Sequence, residues 1–290
     1  MVHSAQAEVR PVRNPVVVGV TGTSAGLAAV RLAAREAVSR GCQLRVVHAF
    51  TWPSHAPPGA GMDYDRARRA ASQVVDEAVL TAQRSTPGVR VTGQLMDGQP
   101  DRVLLRLSRT SALLVVGDDD LAVTPWLPPA SVLVQTVARS WCPVLVARGP
   151  RPPRGVVLAA VDGSAHGMLA LRHAVAESRR RRAGLEVVHV VREFGGRYEE
   201  QGRRVLAGAA EVAPAARTRL LAGAAGPALV LASRRSRVIV LGPRGTRNAG
   251  LLGAVAREVL HRGACPTVFV HGRSVPVPRP PYGRKAGALT

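Results

Sequence analysis

Gly242-Pro-Arg-Gly245 follows an apolar run that ends at Leu241, and Arg247 and Gly253 come shortly after it. Glycines let backbone N–H groups come close to an anion, a following helix adds its positive N-terminus, and an arginine fork pairs with phosphate oxygens. Such a loop can hold a phosphate, with no bond made or broken. Asp162-Gly163-Ser164 follows a second apolar run. Its carboxylate can accept hydrogen bonds from a ligand, or the triplet is only a strand-to-helix turn with a cap.

The remaining reactive side chains have plainer expectations. His48 and His189 close two similar apolar runs, and duplication predicts structural roles for both. Cys142 and Cys265 each precede a proline and are expected to be buried, inert thiols, and with Cys42 they form neither a CxxC pair nor a disulfide framework. Asp118, Asp119 and Asp120 read as a solvated acidic turn. Arg179 to Arg182 end a helix, where cations suit the dipole. There is no Ser–His–Asp order, metal-ligand cluster or carboxylate pair in a catalytic context, so the chain is not expected to be an enzyme beyond weak ATP hydrolysis.

The elements that must position these residues follow from a repeat. Val16–Thr23 resembles Val157–Ser164 at an offset of 141, which also aligns Arg31 with Arg172 and Val46-Val47-His48 with Val187-Val188-His189. Leu114–Gly117 then pairs with Ile239–Gly242, and Cys142-Pro143 with Cys265-Pro266, so the second copy is shorter, mostly between residues 192 and 216. In the first copy, strands are predicted over Val16–Val20, Leu44–Phe50, Val89–Met96, Leu113–Val116 and Val144–Ala147. Helices are predicted over Leu27–Ser39, Tyr64–Arg84, Pro100–Arg109 and Val132–Ser140. In the second copy, strands are predicted over Val156–Val161, Leu185–Val191, Thr218–Leu221, Val238–Leu241 and Thr267–Val270. Short apolar strands alternating with helices specify parallel sheets with right-handed crossovers.

The 290 residues suit two domains. The expected division is an irregular N-terminus over 1–14, domains over 15–148 and 155–272, a linker over 149–154, and a disordered tail over 273–290. Aromatic residues are 3% of the chain, so the core must be built from Val, Leu and Ala. No run is long and apolar enough for a membrane helix, and no secretory signal is visible, so a cytoplasmic setting is expected. The formal charge is +21, carried almost wholly by arginine. It is spread over many segments, which favours a compositional bias over a nucleic-acid patch.

These residues carry a family resemblance. A strand followed by Asp162-Gly163-Ser164, a helix and a strand ending Val187-Val188-His189 resembles the start of a universal stress protein domain. Gly242–Gly245, Leu252-Gly253, Val259–His261 and Cys265-Pro266 resemble its later motifs. The resemblance covers Val16 to Gly272 and implies two tandem, doubly wound, five-stranded parallel sheets with the adenine-nucleotide-hydrolase-like fold. It also implies a nucleotide cleft at the carboxyl ends of the first and fourth strands; family members include ATP binders and members without ATP binding.

In the family's ATP pattern, Gly, two residues, Gly and nine residues precede Gly with Ser or Thr. The second copy keeps Gly242, Gly245 and Gly253. It has only seven residues between the last two, and Ala254 stands in place of the hydroxyl. Arg244 and Arg247 are expected to compensate, and Asp162 matches the acidic residue that follows the first strand. In the first copy Thr21 stands where Asp162 does, Gly117 is followed by aspartates, and Ala130 takes the third glycine position before Ser131. The cofactor-binding set is therefore Asp162, Gly163, Gly242, Arg244, Gly245, Arg247 and Gly253. The expected ligand is ATP or another adenine nucleotide, with Mg left open.

The expected function is a stress-response regulator with an unidentified protein partner and no membrane association. The two domains are expected to form an intrachain pseudo-dimer through their last strands, with a homodimer left open. The alternatives are a ligand-free interaction module with degenerate sites and, further off, an arginine-driven nucleic-acid binder.

Overall fold

The structure is a computed structural model that describes residues 14–52, 63–119, 121, 128–149, 154–245 and 251–271. The first half runs β1 (Val16–Gly19), α1 (Ser24–Arg40), β2 (Leu44–Phe50), α2 (Tyr64–Ser85), β3 (Val91–Asp97), α3 (Pro100–Leu107), β4 (Leu113–Val116), α4 (Val132–Arg139) and β5 (Val144–Val146). The second half repeats the order: β6 (Val156–Ala160), α5 (Ala165–Arg181), β7 (Leu185–Val191), α6 (Gly196–Val212), β8 (Arg217–Ala222), α7 (Ala225–Ser233), β9 (Ser236–Leu241), α8 (Ala254–Arg262) and β10 (Thr267–Phe269). Predicted strand ends lie within three residues of these bounds. The expected N-terminus up to residue 13, the tail, and linker residues 150–153 fall outside the described residues.

All ten strands form one sheet in the order β3-β2-β1-β4-β5-β10-β9-β6-β7-β8. Every neighbouring pair is parallel except β5 with β10, which run antiparallel with Leu145 opposite Val268. Alternate strand residues feed two cores. Val16, Val18, Leu113, Val115, Val238 and Val240 face one side with α1, α2, α5 and α6. Val17, Leu114, Val144, Ile239 and Phe269 face the other with α3, α4, α7 and α8. This is the period of two expected of strands covered on both faces. Leu145 and Val268 share the first core, and Val146 and Phe269 the second, so both cores run across the seam between the halves.

The duplication extends to the helix ends. Thr23 caps α1 by accepting from Gly26 N at 3.0 Å, and Ser164 caps α5 by accepting from Gly167 N at 3.0 Å. Each of these helices ends in a left-handed residue, Gly41 with φ 64° and Arg182 with φ 48°. Only glycine takes that conformation freely; in an L-residue it costs about 1–2 kcal/mol. Arg182→Gly should therefore raise stability by about 0.5–1 kcal/mol, once the greater freedom of glycine in the unfolded chain is offset. Chemical denaturation measures this directly, and an unchanged midpoint would contradict it.

The buried stripe of α1 is built mostly of small residues. Ala29, Val30, Ala33, Ala34 and Ala37 are buried, while Val38 is half exposed. Small alanines let the helix lie close to the sheet, and this turns Val38 outward.

Around the seam, contacts occur in reciprocal pairs. Arg148, after β5, donates to the carbonyl of Leu260 near the end of α8. His271, after β10, donates from Nε2 to the carbonyl of Val137 in α4 at 2.6 Å. On the other face, Arg40 of α1 bonds Glu177 of α5 at 2.6 Å, and Arg181 of α5 bonds Glu36 of α1. Arg180 contacts both glutamates. The arginine run expected to complement a helix dipole thus contributes two members to a buried ion cluster between the halves. The two halves meet through their last strands, β5 and β10.

Candidate functional site: two unequal clefts

Doubly wound sheets bind ligands where the strand order reverses, beyond the carboxyl ends of the strands. Here those points lie between β1 and β4 and between β6 and β9. The second holds a cleft of about 910 Å³, lined among others by Asp162, His189, Gly242, Arg244, Gly245 and Gly253. Its counterpart encloses only about 140 Å³.

In the larger cleft Asp162 Oδ1 accepts from Ser164 N at 3.0 Å and from Ser164 Oγ at 2.5 Å. The cap expectation for this triplet holds, and the carboxylate still borders the cleft. A Cβ at Gly245 would lie 2.6 Å from Asp162 Oδ2, and one at Gly242 would lie 2.9 Å from His166 Cβ. Gly242 therefore needs glycine for the loop to lie against the start of α5, whereas a side chain at Gly245 would push against the Asp162 carboxylate. Gly163 has φ +80° and serves the turn; it is not among the lining residues. Gly253 N donates to the Pro243 carbonyl at 2.9 Å, which closes the loop and removes that N–H from ligand binding. Gly253 is also the N-cap of α8 and supplies no side-chain cap, so the first turn of α8 meets the cleft at Ala254, Val255 and Ala256. Arg247 lies outside the described residues.

Sequence reasoning missed the other wall. Arg192, at the end of β7, and Arg197, Tyr198 and Gln201, in the first turns of α6, also line the cleft. Gly195 with φ 96° and Gly196 with φ 56° make the tight turn that brings α6 there. The signal was the shortening after residue 192, which had been read as lost length rather than as a new wall.

The first cleft is the narrower, and Asp119 lines it. Asp119 accepts from Thr21 Oγ1 at 3.1 Å and from Thr23 Oγ1. Asp118 pairs with the buried Arg148 at 3.7 Å. The acidic turn is thus half-exposed, with two of its carboxylates engaged by neighbouring side chains, and Asp120 lies outside the described residues. Ser131 caps α4 by accepting from Val134 N at 3.2 Å. Beyond β2, Phe50, Trp52 and Tyr64 pack together, and Arg68, bonded to Asp97, lies 5.6 Å from the Phe50 ring centroid.

The histidines behave alike. His48 Nδ1 donates to the Val20 carbonyl and His189 Nδ1 to the Val161 carbonyl, each at 2.8 Å, as expected of duplicated structural residues. All three cysteines are buried, and burial pushes the Cys142 and Cys265 thiols up to about 12, which leaves them inert at neutral pH. Among the described residues no group of three or more His, Cys, Asp or Glu could hold a metal, and no helix is long and apolar enough to cross a membrane.

The sequence profile of the universal stress protein family matches residues 13–148 and again residues 154–271. The chain belongs to the universal stress protein family. A universal stress protein of Mycolicibacterium smegmatis is 27% identical over 286 residues, which cover 89% of this chain and 97% of that one. A universal stress protein of Mycobacterium bovis is 31% identical over 201 residues, which cover 62% of this chain and 63% of that one, under two thirds of its length. The crystal structure of a universal stress protein from Archaeoglobus fulgidus superposes with a TM-score of 0.68 over 89% of this chain and 98% of that one; at 14% identity the likeness is one of fold. This is a tandem universal stress protein, from a family that is generally non-enzymatic.

Proposed function

We propose that this universal stress protein is a stress-response regulator that binds an adenine nucleotide, ATP by preference, in its second domain, and that occupancy controls its contact with a protein partner. The observation that carries the proposal is the 910 Å³ cleft in which Asp162, Arg244 and two closely packed glycines, Gly242 and Gly245, meet the start of α8, which has no side-chain cap. Helix starts of this kind attract phosphate. The volume lies within the roughly 300–1,000 Å³ of small-molecule sites. The smaller first cleft, with Asp119 engaged by Thr21 and Thr23, favours a ligand-free, structural role for the first domain.

Nucleotide extraction and mass spectrometry of the purified chain, with calorimetry, test this. One ATP per chain is expected, and Gly245→Val should weaken binding at least tenfold while circular dichroism stays unchanged, because the new side chain collides with Asp162. Two equivalent sites would overturn the assignment to the second domain. No binding of any adenine nucleotide would leave the ligand-free interaction module.

A further inference from the structure

The walls of the larger cleft are cationic at both ends. Arg244 follows β9 on one side, while Arg192 and Arg197 follow β7 on the other. Strand β6 lies between β9 and β7, so the two ends are two strand spacings, about 9.5 Å, apart. Asp162 is the one carboxylate among the described lining residues, and it sits at the middle, at the end of β6.

Most arginines with a carboxylate nearby in this half are paired with it: Arg180, Arg181, Arg203, Arg204, Arg219 and Arg262 all form ion pairs. Arg192, Arg197 and Arg244 form none among the described residues. Arg197 instead lies over the Tyr198 ring at 5.0 Å, which holds its guanidinium at the cleft wall. The nearby Glu199 is already spent on Gly195 N and Arg203. In the first domain the arginine near the start of α2, Arg68, is paired with Asp97. Unpaired like charges facing one cavity raise its potential for anions.

A mononucleotide with its phosphates on the Arg244 loop places its ribose near Asp162 and leaves the β7 side unneutralised. We propose that the cleft is built for a nucleotide that carries a second phosphoryl group on its ribose, with the 5′-phosphate held at Gly242–Gly245 and the second phosphate held by Arg192 and Arg197. This rests on the nucleotide reading of the same cleft and adds the ligand's second anion.

The test compares AMP with adenosine 3′,5′-bisphosphate and adenosine 2′,5′-bisphosphate by calorimetry on the full chain. At least one bisphosphate is expected to bind about tenfold more tightly than AMP, the scale of one well-formed charge-assisted pairing. Raising salt should shrink that ratio, since the arginines are exposed. In Arg192→Gln/Arg197→Gln the ratio should fall to about one. If AMP binds and neither bisphosphate binds more tightly, this proposal fails while the nucleotide reading stands. If the ratio survives in the double variant, the arginines do not hold the second phosphate and the proposal fails. If none of the three nucleotides binds, and ATP does not either, both readings fall together.

Discussion

Glu177→Gln should cost about 3–5 kcal/mol of stability, the scale for breaking a buried ion pair by neutralising one partner. Glu177 is fully buried and meets Arg40 at 2.6 Å, Arg181 at 2.9 Å and Arg180, with His173 Nε2 at 3.1 Å. Without its charge, three guanidiniums with little access to water are left sharing the single carboxylate of Glu36. By contrast, Glu200→Gln on the surface of α6 should leave the denaturation midpoint nearly unchanged, since its pair with Arg204 is open to solvent.

The same cluster sets an acid limit. Burial alone would push the Glu177 carboxyl up, but the neighbouring His173 imidazole and the Arg40 and Arg181 guanidiniums outweigh it and hold the carboxyl well below the usual range. In the unfolded chain a glutamate titrates near ~4.3. The stabilisation is therefore fully present above about pH 5 and is lost as the pH falls through the acid range toward the folded-state value. Denaturation midpoints should fall more steeply with acid in the native protein than in Glu177→Gln. Parallel curves would show that the cluster contributes nothing to this dependence.

Arg244→Ala should weaken ATP binding by roughly one to two orders of magnitude and leave adenosine nearly unaffected. The second-domain loop lacks the hydroxyl at Ala254 and has Gly253 N engaged by Pro243, so phosphate recognition falls on the Arg244 fork and the first turn of α8. Charge-assisted hydrogen bonds of this kind contribute about 1.5–3 kcal/mol each. Should Ala254→Ser tighten ATP binding while Arg244→Ala changes nothing, Arg244 is only a solvated loop charge.

The strands were legible because they are short, apolar and buried on both faces, so composition alone marks Val16–Gly19, Leu113–Val116 and Ser236–Leu241 within two residues. The duplication at an offset of 141 also aligns Glu36 with Glu177 and Arg40 with Arg181. Nothing local says that these two helices meet, because ion pairs between positions 137 and 145 apart depend on the pairing of β5 with β10. Asp119 was illegible for the same reason. A carboxylate in a turn looks solvated until the chain returns Thr21 and Thr23 to it from about a hundred residues away. Arg197 and Tyr198 reach the cleft only because two left-handed glycines redirect the chain, and a backbone conformation of that kind has no hydropathy signature.

The β5–β10 seam has only three residue pairs, and between separate molecules such a contact would loosen on dilution. Joined by the segment 149–154, the halves meet at an effective concentration in the millimolar range, whatever the amount of protein. Covalent fusion has a second outcome. In a symmetric pair of separate subunits every substitution is made twice, whereas here each half can drift alone. One half has narrowed its cleft to about 140 Å³ beside Asp119, while the other keeps about 910 Å³. A ligand that binds only the larger cleft would meet no like site within the chain, so its occupancy is expected to rise as a simple hyperbola.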